Sequence, residues 1–113
     1  MIQRHNISMN ASFVQEQIEF MTEQLVKKYE PKKIILFGPA AIGNMTPDTD
    51  LNFLIIKYDK KDHYDRMVEV YGLIKKKIAA DFIIYTPQEF SERLRLGDPF
   101  LKSILAEGKV LYG

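Results

Sequence analysis

Two short apolar runs joined by a loop of small residues constrain this sequence more than any other feature. The first run, 34–37, ends at Gly38, and the second occupies 51–56. The loop between them contains Gly43 and Pro47, which interrupt regular structure. Short runs that are apolar on every side are typical of strands covered on both faces by helices. A connection of about a dozen residues is too short for an ordinary crossover helix, so the sequence predicts a mixed sheet.

An amphipathic helix is predicted before this pair of strands. Over 14–29, apolar residues recur at spacings of three and four, as on one face of a helix. Its cap is predicted at Ser12, with Ser8 and Asn10 as alternatives. Residues 1–10 show no clear period, and they are expected either to fray or to add an edge segment.

The rest of the chain alternates between helical and extended patterns. A helix is predicted over 64–78, with Lys75–Lys77 in its last turn, where cations favour the helix dipole. A third strand follows over 79–85, and a short edge strand is predicted over 109–112. Two further helices begin at pairs that combine a capping residue with proline, Thr86-Pro87 and Asp98-Pro99.

The composition fits one soluble domain spanning 1–113. It is 46% hydrophobic and 27% charged, and the net charge of +1 gives no overall field for nucleic-acid binding. The absence of cysteine excludes disulfides, zinc-thiolate sites and thiol nucleophiles. The first residues lack the apolar run of a signal peptide, and no segment approaches the ~18 apolar residues of a membrane span. A cytoplasmic location is therefore expected, without a membrane partner.

Three polar residues lie in or beside strands that are otherwise apolar. Asp50 and Asn52 are two positions apart, so in a strand both side chains point to one face beside the Gly38 loop. Asp81 lies within the third strand, where an unpaired carboxylate costs several kcal/mol. Taken singly, Asp50 could cap a turn, Asn52 could be a satisfied polar group and Asp81 could pair with a lysine. Taken together beside a glycine turn, they suit a phosphate and a hard cation.

The spacing of these residues resembles the signature of a known family. Gly38-Pro39, residues 40–49 and Asp50-Leu51-Asn52 are similar to the glycine-serine, ten-residue spacer and Asp-x-Asp motif of the minimal nucleotidyltransferases. These proteins belong to the polymerase-β-like superfamily. The resemblance covers most of the chain, including the preceding helix and three later segments: Ala80-Asp81-Phe82, 85–90, and the ending from Gly97-Asp98-Pro99-Phe100 to 108–112.

This resemblance implies a fold, a reaction and a site. The fold is α/β (α+β), with a small mixed sheet of three to four strands flanked by helices, as in the polymerase-β-like nucleotidyltransferases. The reaction transfers a nucleoside monophosphate, with AMP from ATP expected, to an acceptor hydroxyl with the help of two Mg²⁺ ions. The implied metal ligands are Asp50, Asn52 and Asp81, and the implied catalytic carboxylates are Asp50 and Asp81. The residues expected to contact nucleotide phosphates are Gly38, Pro39 and Gly43.

Three positions depart from the family pattern. Pro39 replaces serine, so both the hydroxyl and the backbone N–H donor are lost. Ile42 occupies a position where arginine is common. Asn52 replaces the second aspartate, which removes one negative charge from the metal site. Because the loss of one preorganised donor commonly lowers the rate by about 10²–10³, we expect impaired catalysis on an intact scaffold.

Two functions are compatible with these features. One is a weakened nucleotidyltransferase whose acceptor belongs to a partner protein, and the resemblance implies a helical HEPN-type toxin as that partner. The alternative is a catalytically inactive pseudoenzyme that acts as an antitoxin-like binding module. The apolar surface of the N-terminal helix could serve such a partner or a homodimer.

Overall fold

A computed structural model of the chain describes residues 2–46 and 48–113, with side chains described from Ala11 onward. Pro47, one of the predicted loop residues, lies outside the described residues. The helices are α1 (Ile2–Tyr29), α2 (His63–Leu73), α3 (Pro87–Arg95) and α4 (Pro99–Glu107), and the strands are β1 (Lys33–Phe37), β2 (Leu51–Ile56), β3 (Ala80–Tyr85) and β4 (Lys109–Tyr112). Among the described helices, none combines the length and the apolar character needed to cross a bilayer.

The four strands form one mixed sheet in the order β3-β2-β1-β4. β2 is antiparallel to β1 and parallel to β3, and β4 is antiparallel to β1. The connection between β1 and β2 contains no long crossover helix, which favours the antiparallel pairing, whereas the connection through α2 permits the parallel one. The predicted mixed sheet, its helical flanks and the edge strand at 109–112 are all confirmed.

Two hydrophobic clusters cover the two faces of this sheet. α1 and α2 pack on the face that carries Leu51, Phe53 and Ile55 of β2. α3 and α4 pack on the opposite face, against Leu54 of β2 and Ile35 of β1. Full burial of one such side chain contributes about 1.5–3 kcal/mol, so β2 is firmly held on both faces. It is therefore a rigid support for the polar residues at its beginning.

Two helix boundaries differ from the sequence prediction. α1 begins at Ile2 rather than at a cap near Ser12. α2 ends at Leu73, so Lys75–Lys77 lie in the loop before β3 and not in a last helical turn. The buried side chain of Gln24 on α1 accepts a hydrogen bond from the Lys75 N–H at 2.8 Å and donates one to the Lys75 carbonyl oxygen at 2.7 Å. These two hydrogen bonds satisfy the backbone N–H and carbonyl groups of Lys75, which lies beyond the end of α2.

An ion pair between a buried arginine and a partly exposed glutamate joins the two helical layers. Arg66 of α2 is only 4% exposed, and its Nη1 lies 2.7 Å from Oε1 of Glu89 on α3. The same carboxylate oxygen accepts the Thr86 N–H at 2.8 Å and completes the capping box that begins α3. Burial opposes ionisation of Glu89, but the hydrogen bonds from Arg66 and Thr86 outweigh it, and the pKa of Glu89 lies below its ordinary value.

Candidate functional site

The turn that follows β1 begins at Gly38. Its φ of 80° and ψ of −162° lie in a region that only glycine occupies without strain. Pro39–Ile42 then form one turn of 3-10 helix, which Gly43 closes with a φ of 97°. The N–H groups of Ala41 and Asn44 donate to the carbonyls of Gly38 and Pro39, at 3.1 and 3.0 Å. The turn is therefore held by its own backbone hydrogen bonds.

Two of the departures from the family pattern lie in this turn. Pro39 is the first residue of the 3-10 turn, a position where the missing N–H does not weaken the turn itself. It does remove a donor that a phosphate could use. The side chain of Ile42 is 68% exposed, so an apolar group occupies the place where the resemblance predicts a cation. The side chains of Pro39 and Ile42 therefore offer neither a hydroxyl group nor a positive charge at this turn.

Asn52 connects the turn to the sheet. Within the sheet, Asn52 is paired with Phe37 of β1 on one side and with Asp81 of β3 on the other. A Cβ atom built on Gly38 would lie 2.7 Å from Asn52 Nδ2, so the glycine turn and the amide are in direct contact. Nδ2 also donates a long hydrogen bond, 3.5 Å, to the carbonyl oxygen of Asp50. The lack of a side chain at Gly38 leaves the room that Asn52 occupies.

The two predicted aspartates flank Asn52. Asp81 pairs with Asn52 across the parallel strands, and residues paired in this way project from the same face of a sheet. Asp50 directly precedes β2 and lies two positions before Asn52, so it belongs to the same face. Both carboxylates are exposed. Two carboxylates and an amide oxygen thus form a polar edge where β2 and β3 begin.

A fourth polar group at this edge could not be located from the sequence. The spacing of Tyr71 predicts a packing residue, and its ring does pack edge-on against Phe82, with the centroids 5.1 Å apart. Its hydroxyl, however, lies 2.8 Å from the Ala80 carbonyl oxygen and 3.1 Å from Asp81 Oδ1. Burial raises the pKa of Tyr71, and so do the hydrogen bond to Asp81 and the negative charges of Asp81 and Asp50. The Tyr71 hydroxyl therefore belongs to the polar edge through its contact with Asp81.

A sequence relative decides the family of the chain. A protein of Methanocaldococcus jannaschii named "putative protein adenylyltransferase" is 30% identical over 83 residues, which cover 72% of this chain and 78% of the relative. This chain belongs to the nucleotidyltransferase family. No protein-family model matches it, and no solved structure matches it significantly.

Mg²⁺ is the cation that the resemblance implies for a nucleotidyltransferase of this kind. The oxygen donors at the polar edge are the carboxylates of Asp50 and Asp81 and the amide of Asn52. Mg²⁺ is commonly bound through one or two carboxylates together with substrate phosphates, so this set fits one Mg²⁺ carried by a triphosphate. Within the residues described, no three His, Cys, Asp or Glu side chains are placed to share a metal ion.

Most of the residues that the sequence predicts for the nucleotidyltransferase site lie together in the structure: Gly38, Asp50, Asn52 and Asp81. Pro39 is their neighbour in the turn. Gly43 lies at the far end of the turn, and a Cβ atom there would meet no described atom within 4 Å. Gly43 therefore serves the turn conformation rather than a contact with Asn52.

Proposed function

We propose that this nucleotidyltransferase transfers the adenylyl group of ATP to a hydroxyl group of a protein. The observation that carries the proposal is the meeting of Asp50, Asn52 and Asp81 at one edge of the sheet, directly beside the Gly38 turn. The name of the relative from Methanocaldococcus jannaschii supports adenylyl transfer and a protein acceptor. The polar edge supplies negative charge for a cation, and the turn supplies a backbone that a phosphate can approach.

Each residue of this edge has a role in the proposed reaction. Asp50, Asp81 and the amide oxygen of Asn52 would hold Mg²⁺, which supplies positive charge that stabilises the phosphates during transfer. Gly38 gives the turn its φ of 80°, and the triphosphate would lie against the exposed backbone of that turn. Asp81 would accept the proton of the attacking hydroxyl. The bond that breaks joins the α-phosphorus to the oxygen that bridges it to the β-phosphorus, and pyrophosphate leaves.

The same residues lead us to propose a slow enzyme. Pro39 offers a phosphate neither a hydroxyl nor an N–H, and Ile42 adds no positive charge. Asn52 contributes a neutral ligand in place of a charged one. Removal of a single preorganised donor commonly costs about 2.7–4 kcal/mol of transition-state stabilisation. Turnover should therefore fall well below that of a site with serine, arginine and aspartate at these positions.

For the acceptor we propose a helical protein of the HEPN type, the partner that the family resemblance implies. Such a contact needs exposed apolar area on the transferase. Tyr64 and Val68 lie one turn apart on α2 and are 67% and 50% exposed. Together they form an exposed apolar strip on α2, and the last turn of this helix lies at the polar edge.

A second candidate function follows from the contact between Asn52 and Gly38. The atom that a side chain on Gly38 would meet first is the amide nitrogen Nδ2, which donates hydrogen bonds and does not ligate a cation, whereas a carboxylate oxygen would attract one. A domain with this edge could keep its fold and its partner surface without transferring a nucleotide. This alternative is an inactive, antitoxin-like binding module.

One labelling experiment separates the two functions. The chain is co-expressed with its candidate partner, and the purified complex is incubated with Mg²⁺ and ATP labelled at the α-phosphate. Adenylyl transfer predicts label on the partner, reduced by about 10² or more in Asp50→Ala and Asp81→Ala. Glu107→Ala is the matched control, since it removes an exposed carboxylate on α4, and it should retain the label. Tight binding of the partner without any label in the wild-type complex would establish the inactive module instead.

A further inference from the structure

We propose that Tyr71 is itself an acceptor of the adenylyl group, so that the chain modifies its own α2 helix. The inference rests on the proposed function and extends it to an acceptor within the chain. It starts from one contact: the Tyr71 hydroxyl lies 3.1 Å from Oδ1 of Asp81, the carboxylate to which we assign the proton-accepting role.

The position of this hydroxyl meets the geometric requirement for proton transfer. A general base must lie about 2.6–3.2 Å from the atom whose proton it takes, and the Tyr71–Asp81 distance falls within that range. The hydroxyl has a second acceptor in the Ala80 carbonyl oxygen, 2.8 Å away. The hydroxyl has a single proton, which it can donate either to Asp81 Oδ1 or to the Ala80 carbonyl oxygen, and in both cases the lone pairs of its oxygen are available to form a bond.

Tyr71 is also accessible and oriented. The residue is 37% exposed, and β3, which carries Asp81, is an edge strand of the sheet. Its ring is held against Phe82 in an edge-on contact. A hydroxyl that is already oriented beside its base avoids much of the entropic cost of bringing two reactants together.

Tyr64 provides a comparison on the same helix. It is 67% exposed and lies in the first turn of α2, whereas Tyr71 lies in the last. If exposure alone decided which tyrosine is modified, Tyr64 would be the better acceptor. The contact with Asp81 predicts the opposite order.

The proposed step transfers the adenylyl group of ATP to the Tyr71 oxygen. The Tyr71 oxygen attacks the α-phosphorus of ATP, and a new P–O bond forms. The bond between the α-phosphorus and its bridging oxygen breaks, and pyrophosphate leaves with that electron pair. The hydroxyl proton passes to Asp81. Because the product places an anionic phosphodiester beside Asp50 and Asp81, the modified chain should bind ATP more weakly than the unmodified one.

The test uses the purified full chain without a partner. It is incubated with Mg²⁺ and α-labelled ATP, the label is located by mass spectrometry of peptides, and ATP binding is measured by calorimetry on the same preparations. We expect the label on Tyr71, with at least a tenfold loss in Tyr71→Phe and in Asp81→Asn. Tyr58→Phe is the matched control, because Tyr58 is 64% exposed and belongs to neither proposed site, and it should keep the label. The labelled fraction at a given time should not depend on protein concentration, since the acceptor is in the same chain.

The outcomes distinguish this inference from the proposed function. Label that persists in Tyr71→Phe, or that maps to Tyr64, overturns self-modification at Tyr71. If the chain binds ATP and labels its co-expressed partner but never itself, the inference is wrong and the proposed function stands. If the chain neither binds ATP nor becomes labelled, both are wrong.

Discussion

The amide nitrogen of Asn52 lies against Gly38, so close that a Cβ atom on residue 38 would fall 2.7 Å from it. Each residue depends on the other: the turn needs glycine for its φ of 80°, and Asn52 needs the space that glycine leaves. Asn52 is also paired with Asp81 across the neighbouring strands β2 and β3. A substitution at residue 38 that displaces the Asn52 side chain should therefore also disturb the polar edge.

Gly38→Ala should destabilise the fold by about 1–3 kcal/mol, the usual cost of forcing a side chain into such a backbone conformation. The new Cβ atom would also force the Asn52 side chain to move, because it would lie 2.7 Å from Nδ2. Urea denaturation measures the effect, and Gly72→Ala is the control, since a Cβ atom on Gly72 in α2 meets nothing within 4 Å. The control should gain up to about 1 kcal/mol, as helical glycines replaced by alanine do. Equal stability of Gly38→Ala and the wild type would contradict the turn geometry described here.

Asn52→Asp should make the stability of the fold depend on Mg²⁺. A third carboxylate between Asp50 and Asp81 adds repulsion of about 1 kcal/mol in EDTA. With Mg²⁺ at about a hundred times its Kd, binding should return about 2.7 kcal/mol. The melting temperature is measured in EDTA and in Mg²⁺, with Asn44→Asp in the exposed turn as the control for added charge. A Mg²⁺ response no larger in Asn52→Asp than in Asn44→Asp would mean that the polar edge is not a metal site.

Arg66→Met should lower the free energy of unfolding by about 2 kcal/mol. Breaking a fully buried ion pair costs about 3–5 kcal/mol, and the figure is smaller here because the Glu89 side chain is 36% exposed. Lys27→Met breaks the pair with Glu23, whose members are 70% and 62% exposed, and serves as the control. That change should stay within about 0.5 kcal/mol in urea denaturation. Similar losses of unfolding free energy in Arg66→Met and Lys27→Met would show that the Arg66–Glu89 pair contributes no more stability than an exposed pair.

Acidification should weaken the fold partly through Glu89. Its pKa is lowered in the folded state, so the folded chain binds fewer protons than the unfolded chain in the acid range. The resulting stability is fully present above the unfolded pKa and is lost as the pH falls through the folded pKa. Denaturation curves between neutral and acid pH should therefore show a steeper decline for the wild type than for Glu89→Gln. Identical declines would show that Glu89 does not contribute.

The order of helices and strands could be predicted because each element is specified by residues within or next to it. The apolar runs at 34–37 and 51–56 and the Thr86-Pro87 cap each determine their element without distant contacts. The end of α2 could not be predicted, since it depends on Gln24 of α1, which hydrogen-bonds to Lys75. A buried glutamine in one helix is not visible in the periodicity of another.

Part of the candidate site could likewise be predicted from the sequence, and part of it required the fold. The spacing of Asp50 and Asn52 places both on one strand face, and the sequence alone was enough for that. The role of Tyr71 required the fold, because its contact with Asp81 arises only where the last turn of α2 meets the first residues of an edge strand. The loop that brings these two elements together is fixed by tertiary hydrogen bonds to Gln17 and Gln24.

The position of the label in ATP tests the central claim most directly. Wild-type protein with its partner is incubated with Mg²⁺ and either α-labelled or γ-labelled ATP, and protein-bound label is counted. Adenylyl transfer predicts protein-bound label from α-labelled ATP and none from γ-labelled ATP, because pyrophosphate carries the γ-phosphate away. Protein-bound label from γ-labelled ATP, or none from either although ATP binds, would contradict the account.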